Sequence, residues 1–183
     1  MKTKFLETSF SYNGEQLRPL TNYLQYRLLG DSCVAWVGGC DIPAAHMVDG
    51  EDLLAQSVIK GSKMLHFVFE VFDRELVSGV FLQRLFASMV QDEIFRQSGK
   101  TLRRSGDDLF LEDRKLSISI ATRSSNSVLV HFALNVSNQG TPVKTCSLED
   151  FSINPKAFAE TLMQKVSTEY QDILDSAKKV RTF

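Results

Sequence analysis

The sequence predicts a single α+β domain, in which helices pack on a mostly antiparallel sheet. Three segments between residues 103 and 136 alternate apolar and polar side chains and are separated by turn residues, which predicts an antiparallel meander. Two longer segments, 75–97 and 155–178, carry apolar residues at helical spacing. The chain of 183 residues has the size of one domain and contains no internal repeat or long linker. We therefore expect one unit over residues 1–183.

The first part of the chain is predicted to form strands around one short helix. Asn13-Gly14 is a favoured turn dipeptide, so residues 4–17 are predicted to form an edge hairpin. A helix is predicted from Pro19 to Gly30. The apolar run from Cys33 to Val37 predicts a buried strand.

The segment from Met64 to Phe72 is the next predicted strand, with alternate side chains on opposite faces. His66 and Glu70 share one of these faces and could act as acid and base. Such pairs are more often structural contacts, and we interpret this pair as structural.

Both predicted helices have recognisable ends. Gly99 is expected to end the first helix, and Asn154 is expected to cap the second, with Pro155 in its first turn. Residues 139–142 (Gln-Gly-Thr-Pro) are predicted to form a loop between the meander and the second helix.

Composition excludes several classes of function. The formal net charge of −1 offers no electrostatic footprint for nucleic acid, so no DNA partner is expected. No apolar run is long enough to span a membrane, and no signal peptide is indicated. Three cysteines without regular spacing fit a reducing cytoplasm, where we expect the protein to be located. An exposed sheet edge would permit a homodimer, although no residue pattern requires one.

Polar residues of the meander form the first candidate site. Lys115, Ser117 and Ser119 are expected on the strand face opposite to Leu116, Ile118 and Ile120, which should lie on the core. His131 and Asn135 are expected on the polar face of the following strand. Asp107 and Asp108 follow Gly106 and the basic pair Arg103-Arg104. These charges could hold a carboxylate, a phosphate or an acyl phosphate. By pattern alone, however, such residues are usually solvated charges at a turn.

The segment 40–52 is the second candidate site because it contains a thiol, an imidazole and several carboxylates. Zn²⁺ accepts the ligand types of Cys40, His46 and Asp49, but their spacing matches no metal signature, and no metal is expected. Asp49 or Asp52 could instead cap a helix at Leu53-Leu54.

Three motifs resemble the core of the biotin and lipoate protein ligases and the octanoyltransferases. They are Gly-Asp-Asp-Leu-Phe at 106–110, Arg-Lys-Leu-Ser-Ile-Ser at 114–119 and Ala-Leu-Asn-Val at 133–136. Four further motifs span nearly the whole chain: Gly-Asp-Ser at 30–32, His-Met-Val-Asp at 46–49, Lys-Leu-Ser-Ile-Ser-Ile-Ala-Thr at 115–122 and Lys-Val-Arg at 179–181. With them the chain resembles an uncharacterised prokaryotic family, domain of unknown function number 366. That family looks like a member of the fold shared by these ligases and the class II aminoacyl-tRNA synthetases. The resemblance therefore implies a ligase-like fold.

The resemblance also implies roles for individual residues. Lys115 corresponds to the lysine that contacts the activated carboxylate, and Asp107-Asp108 correspond to an Asn-Asp pair beside the nucleotide or acyl group. The phosphate cradle of the ligases has only a weak equivalent here, Val37 to Asp41, without arginine. Asp107 in place of asparagine adds negative charge where a phosphate would approach. The cofactor thus stays unknown, with ATP possible but weakly supported.

We therefore expect an enzyme that binds a small carboxylic acid or its activated acyl form. Lys115 would polarise the carbonyl or act as the nucleophile, and Arg104 would hold an anionic group. The other expected binding residues are Asp107, Asp108, Ser117, Asn135, Gly39, His46 and Asp49. A non-catalytic protein that reuses the fold for ligand or partner binding is the alternative. A metal-dependent hydrolase that uses Cys40, His46 and Asp49 is the third hypothesis.

Overall fold

The computed structural model describes residues 1–139 and 143–181, which form one α+β domain as predicted. Of the predicted loop 139–142, residues 140–142 lie outside this range. The helices are α1 (Thr21–Tyr26), α2 (Gly50–Leu54), α3 (Leu76–Ser98) and α4 (Pro155–Lys178). The strands are β1 (Lys2–Phe5), β2 (Ser32–Ile42), β3 (Ile59–Phe72), β4 (Arg103–Ser105), β5 (Asp108–Leu111), β6 (Arg114–Lys115), β7 (Ser117–Arg123) and β8 (Ser127–Asn135).

Two sheets organise the domain. The main sheet has the strand order β1-β2-β3-β8-β7, in which β1 is parallel to β2 and the other neighbours are antiparallel. The small sheet has the order β4-β5-β6. The predicted meander is therefore divided between the two sheets. This division brings the end of β6 close to the end of β8.

The predicted edge hairpin over residues 4–17 is wrong. Leu6 N donates to Ala35 O, and Tyr12 N donates to Gly39 O, so the segment runs parallel to β2 over this length. Both sides of the Asn13-Gly14 turn therefore contact other elements and do not pair with each other. The turn at Asn13-Gly14 was predicted correctly, but the residues before it pair with β2 and not with the residues after it.

The predicted helix ends are confirmed. Gly99, with a φ of 70°, ends α3, and this backbone conformation is one that glycine adopts without steric cost. The Asn154 side chain accepts a hydrogen bond from Ala157 N at the start of α4, and Pro155 occupies the first turn. No helix within residues 1–139 and 143–181 is long and apolar enough to cross a membrane.

The main core lies between the sheet and the helices α3 and α4. Phe86 of α3 makes edge-to-face contacts with three phenylalanines of the sheet, at centroid distances of 4.9, 4.9 and 5.2 Å. These are Phe67, Phe69 and Phe132, on β3 and β8. Edge-to-face geometry at these distances stabilises the contact beyond the burial of area. The helices are thus held on one face of the sheet, and the other face is left for a different use.

The predicted faces of the second meander segment are wrong from Ser117 onwards. Ser117 pairs with Leu134 and Ser119 with Phe132, so both serines lie on the helix side of the sheet. Ile118 and Ile120 lie on the opposite side, where Ile120 pairs with His131. The cause is Leu116, where the chain passes from the small sheet to the main one. Leu116 itself is buried in the main core, as predicted.

Candidate functional site

A cavity of about 680 Å³ lies on the face of the main sheet that the long helices leave free. Its volume is in the range of small-molecule sites. The strands β3, β7 and β8 supply the floor, and the segment between β2 and β3 supplies one rim. The apolar floor residues include Ile42, Ile59, Met64, Ile118 and Ile120.

Most of the predicted site residues line this cavity. The lining includes His46, Asp49, Asp107, Asp108, Lys115, Ser117 and Asn135. These residues come from three separate parts of the chain, and the two candidate sites of the sequence therefore form one cavity.

Lys115 supplies a positive charge on the side of the cavity that the meander forms. Its ammonium lies 2.8 Å from Asp108 Oδ2, and the two side chains are 32% and 30% exposed. The backbone is fixed on both sides, because Lys115 N donates to Lys144 O and Lys115 O accepts from Cys146 N. Lys115 is therefore held against the Asp108 carboxylate in the wall of the cavity.

Asn135, at the end of β8, joins the main sheet to the segment around Lys115. Its Nδ2 donates to Lys115 O and to Cys146 O, each at 3.2 Å. Two carbonyl partners assign this atom as the amide nitrogen, since an amide oxygen could not donate to them. Asn135 thus fixes the position from which the Lys115 side chain extends.

Asp107 and Asp108 have different environments. Asp107 Oδ2 accepts from Ser119 Oγ at 2.6 Å and from Gln83 Nε2 at 2.9 Å, and Oδ1 lies 3.4 Å from Arg84. Asp107 is therefore tied to α3, while Asp108 faces Lys115. Gln83 and Arg84 were not predicted, because the sequence contains no signal that pairs α3 with this turn.

The rim residues of the second candidate site are held by backbone contacts. His46 Nδ1 lies 2.8 Å from Asn13 O. The Asp49 carboxylate accepts from Glu51 N and Asp52 N and caps α2, which confirms the predicted helix cap. Both side chains border the cavity while serving these local contacts.

Arg104 and Gly39 are not among the residues that line the cavity. Arg104 is exposed on β4, the outer strand of the small sheet, and donates to Gly106 O at 2.7 Å. A Cβ on Gly38 would lie 1.9 Å from Phe10 O, and one on Gly39 would lie 2.9 Å from Ser11 Oγ. The Gly-Gly pair thus allows the close approach of residues 10 and 11, where a side chain at position 38 or 39 would clash.

Cys40, His46 and Asp49 do not form a metal site. Within residues 1–139 and 143–181, no group of three His, Cys, Asp or Glu side chains is placed to hold a metal ion. Cys40 is buried, and this burial raises the pKa of its thiol to about 12, with a further contribution from Asp41. The third hypothesis, a metal-dependent hydrolase at these residues, therefore lacks its site.

Two buried histidines lie at the cavity floor, where His131 lines the cavity and His66 lies beside it. The sequence predicted a structural role for His66 and placed His131 on the polar face of its strand. His66 Nδ1 is 3.1 Å from His131 Nε2, and His66 Nε2 is 3.1 Å from Gly39 O. Burial lowers the pKa of His66 to about 4, against the opposing effect of its carbonyl partners. Burial, followed by the neighbouring His66, also lowers the pKa of His131 well below its ordinary value. Both imidazoles are therefore neutral near pH 7.

Tyr12 covers the face of His131. The two rings are nearly parallel, with centroids 3.6 Å apart and an angle of 9° between their planes. Both residues line the cavity and are 2% exposed. Neither was among the predicted catalytic or binding residues. Tyr12 was expected in an edge hairpin, and His131 was predicted only to lie on the polar face of its strand.

Comparison with known proteins gives a family and a fold. The family model "Domain of unknown function (DUF366)" matches residues 1–181. A protein of unknown function from Pyrococcus horikoshi is similar over 100% of both chains, with 33% identity and a TM-score of 0.94.

Two ligase structures share the fold at lower identity. A biotin protein ligase from Aquifex aeolicus, a point mutant solved in complex with biotin, is 12% identical, with a TM-score of 0.62 over 93% of this chain and 70% of that one. A lipoate protein ligase-type protein from T. acidophilum, solved with lipoic acid, is 14% identical, with a TM-score of 0.59 over 93% of this chain and 86% of that one. The predicted family and ligase-like fold are confirmed.

Proposed function

The chain belongs to the family of domain of unknown function 366, and from this premise we propose that it binds a small carboxylic acid or an activated acyl group for ligase- or acyltransferase-type chemistry. The observation that carries this proposal is the position of Lys115, whose ammonium borders a cavity of about 680 Å³ with an apolar floor. A carboxylate or acyl carbonyl would contact Lys115, and the carbon chain would lie over Ile118 and Ile120.

The charge of the cavity sets a condition on this proposal. Two lysines and five carboxylates line the cavity, which leaves three net negative charges when histidines are neutral. The cavity as a whole therefore repels an anion, and a carboxylate is stabilised only where Lys115 is closest. Asp108 already occupies that place at 2.8 Å, so it competes with the ligand.

The proposed role of Lys115 is electrostatic: it would stabilise negative charge on the carboxylate or on the oxygen of an attacked acyl group. Asn135 would act as a positioning residue through its bond to Lys115 O. Both solved ligase-type structures hold a carboxylic acid, biotin or lipoic acid, in the same fold, which supports this ligand class.

ATP receives less support as the cofactor. The Gly38-Gly39 backbone packs against residues 10 and 11, and within residues 1–139 and 143–181 no arginine lines the cavity. This observation favours the alternative function, a non-catalytic module that binds a ligand or a protein in the same cavity.

A binding experiment with two opposite variants tests the proposal. Calorimetry and thermal shift would compare octanoate, lipoate, biotin, amino acids and nucleotides on the wild type, Lys115→Ala and Asp108→Asn. We expect one class of carboxylic acid to bind, with affinity about tenfold lower in Lys115→Ala and higher in Asp108→Asn. Lys156→Ala is the matched control, because Lys156 also pairs with a carboxylate, Glu7 at 2.5 Å, away from the cavity.

Equal affinities in the wild type and Lys115→Ala would contradict the proposal. Mass spectrometry of the ligand after incubation with ATP separates the two functions. Turnover that is lost in Lys115→Ala supports an enzyme, and unchanged ligand despite Lys115-dependent binding supports the non-catalytic module.

A further inference from the structure

The two buried histidines define a direction of hydrogen bonding. His66 Nε2 lies 3.3 and 3.1 Å from the carbonyl oxygens of Gly38 and Gly39. Carbonyls only accept, so His66 Nε2 carries the proton, and its Nδ1 is the acceptor of the neutral ring. His131 Nε2, 3.1 Å from that acceptor, must then be the donor.

This direction leaves His131 Nδ1 as an acceptor. Within residues 1–139 and 143–181, Nδ1 has no hydrogen-bond partner, although His131 is 2% exposed. In the described part of the chain, the completely enclosed side-chain N and O atoms without a partner are Asn22 Oδ1 and Arg84 Nε. His131 Nδ1 is not one of them. Nδ1 therefore retains contact with open space, and the open space that His131 borders is the cavity.

Tyr12 supplies a second polar atom at the same end of the cavity. Its ring is stacked on His131, and its hydroxyl has no hydrogen-bond partner within the described ranges 1–139 and 143–181. A neutral phenol can donate to an oxygen of the ligand, while His131 Nδ1 accepts from it. Burial, with a contribution from Cys40, raises the pKa of Tyr12, so this hydroxyl keeps its proton.

We propose that His131 and Tyr12 form a subsite for a neutral hydrogen-bonding group of the ligand, in which His131 Nδ1 accepts from an N–H or O–H. The ligand is then a carboxylic acid or acyl compound that carries a polar, uncharged group at the end remote from Lys115. An amide is a group of this kind that can bond to both subsite atoms. This inference deepens the proposed function and rests on it, because Lys115 is taken as the anchor of the carboxylate. A simple alkyl chain would leave a buried acceptor unpaired.

The sheet sets the separation of the two ends. His131 and Asn135 are four residues apart on β8, which corresponds to about 13 Å between their Cα atoms. Asn135 is bonded to Lys115 O, so the carboxylate anchor and the subsite lie at opposite ends of one strand segment. Ala133 occupies the position between them on the same face.

A neutral donor fits this end better than an ammonium group. The cavity residues next to His131 on β7, Ile118 and Ile120, are apolar. Placing a charged group against them costs more free energy than placing an amide or a hydroxyl there. The low pKa of His131 keeps the imidazole an acceptor throughout the neutral range.

The test compares ligands that differ only in one donor. The probes are linear dicarboxylic acids of increasing length in which one carboxyl is converted to an N-methylamide or to a methyl ester, which have nearly the same shape. Calorimetry on the wild type should show one chain length at which the N-methylamide binds about tenfold more tightly than the ester, as one added hydrogen bond predicts. The corresponding ω-amino acid should bind more weakly than the N-methylamide.

His131→Gln assigns this preference to Nδ1. The glutamine amide can still donate towards His66 Nδ1, but it supplies no acceptor at the position of Nδ1. The amide-to-ester preference should fall to about one. A preference that persists in His131→Gln would overturn the subsite.

The amide-to-ester comparison on the wild type needs no variant, and together with binding to Lys115→Ala it separates the two proposals. Binding that depends on Lys115 but shows no preference for the N-methylamide would overturn this inference and leave the proposed function standing. Tighter binding of the ω-amino acid would overturn the requirement for a neutral group. If no probe binds in a Lys115-dependent manner, the proposed function fails and the subsite fails with it.

Discussion

The two faces of the main sheet are built from the same strands but differ in what they bury. On the helix side, β3 and β8 present phenylalanine, leucine and valine side chains that pack around Phe86. On the cavity side, alternate positions of the same two strands present His66, Glu70, His131 and Asn135, all of them 5% exposed or less. Burial alone therefore does not distinguish a structural face from a face that can bind a ligand.

The polar groups of the cavity side differ in whether the fold satisfies them. Glu70 Oε1 accepts from Leu20 N and from Ser127 Oγ, at 2.8 and 2.9 Å, which supports the predicted structural role of this residue. His66 is bonded through both ring nitrogens. Among the described residues, His131 is bonded through one ring nitrogen, and it lines the cavity. The comparison teaches that buried polar residues on one sheet face differ in how completely the fold pairs them.

The largest expected loss of stability comes from a substitution on the helix side of the sheet. Phe86→Ala removes a fully buried ring that contacts three other rings, so it should lower the free energy of unfolding by about 3–5 kcal/mol. Chemical denaturation measures this loss. Phe81→Ala is the control on the same helix, since Phe81 is 70% exposed, and it should cost less than about 1 kcal/mol. Similar losses in both variants would contradict the assigned core.

The next largest effect is a pH-dependent loss of stability that comes from His66 on the cavity side. The pKa of His66 falls from 6.5 to about 4 on folding, so between these values the unfolded chain binds a proton that the folded chain does not. Stability is therefore complete above pH 6.5 and falls as the pH is lowered, by on the order of 3 kcal/mol at pH 4. Carboxylates also titrate in this range, so the wild type is compared with His66→Gln by urea denaturation.

The variant should show a smaller loss of stability between pH 6.5 and 4 than the wild type. NMR titration of the His66 ring gives a second measurement that requires no substitution. A ring that titrates near its ordinary pKa in the folded protein would contradict the buried, neutral histidine.

The smallest expected loss of stability comes from a substitution at the junction between the two sheets. Asn135→Ala leaves the carbonyls of Lys115 and Cys146 without their amide donor, which should cost about 1–3 kcal/mol. Ligand affinity should fall as well, because the Lys115 backbone loses a support. Asn126→Ala, in the exposed turn between β7 and β8, is the control and should change affinity little. Unchanged affinity in Asn135→Ala would remove its positioning role.

Much of the fold could be predicted because its signals are local. Asn154 and Pro155 mark the start of α4, Gly99 marks the end of α3, and alternation marks β3 and β8. Lys115 could be predicted as a site residue because its motif resembles a family in which the corresponding lysine has a role. The structure places Lys115 in the cavity wall beside Asp108, while its function stays a proposal.

The errors and omissions have a common origin in long-range pairing. Residues 4–17 follow β2 because their backbone groups bond to Ala35 and Gly39, which no local turn signal indicates. The serines of β7 face α3 because the chain changes sheet at Leu116, and alternation cannot be read across such a change. Arg104 was expected near Lys115 because it is close in sequence, but the small sheet places it on an outer strand.

The sequence by itself determined the fold class, the ends of the long helices and the identity of the chemical groups, because caps, turns and periodicity act within a few residues. Only the tertiary structure decided which of these groups meet. Residues far apart along the chain, His66 and His131, form a hydrogen bond whose direction depends on the carbonyls of Gly38 and Gly39. The two rings meet because β2, β3 and β8 align in one register, and register is a property of the folded sheet.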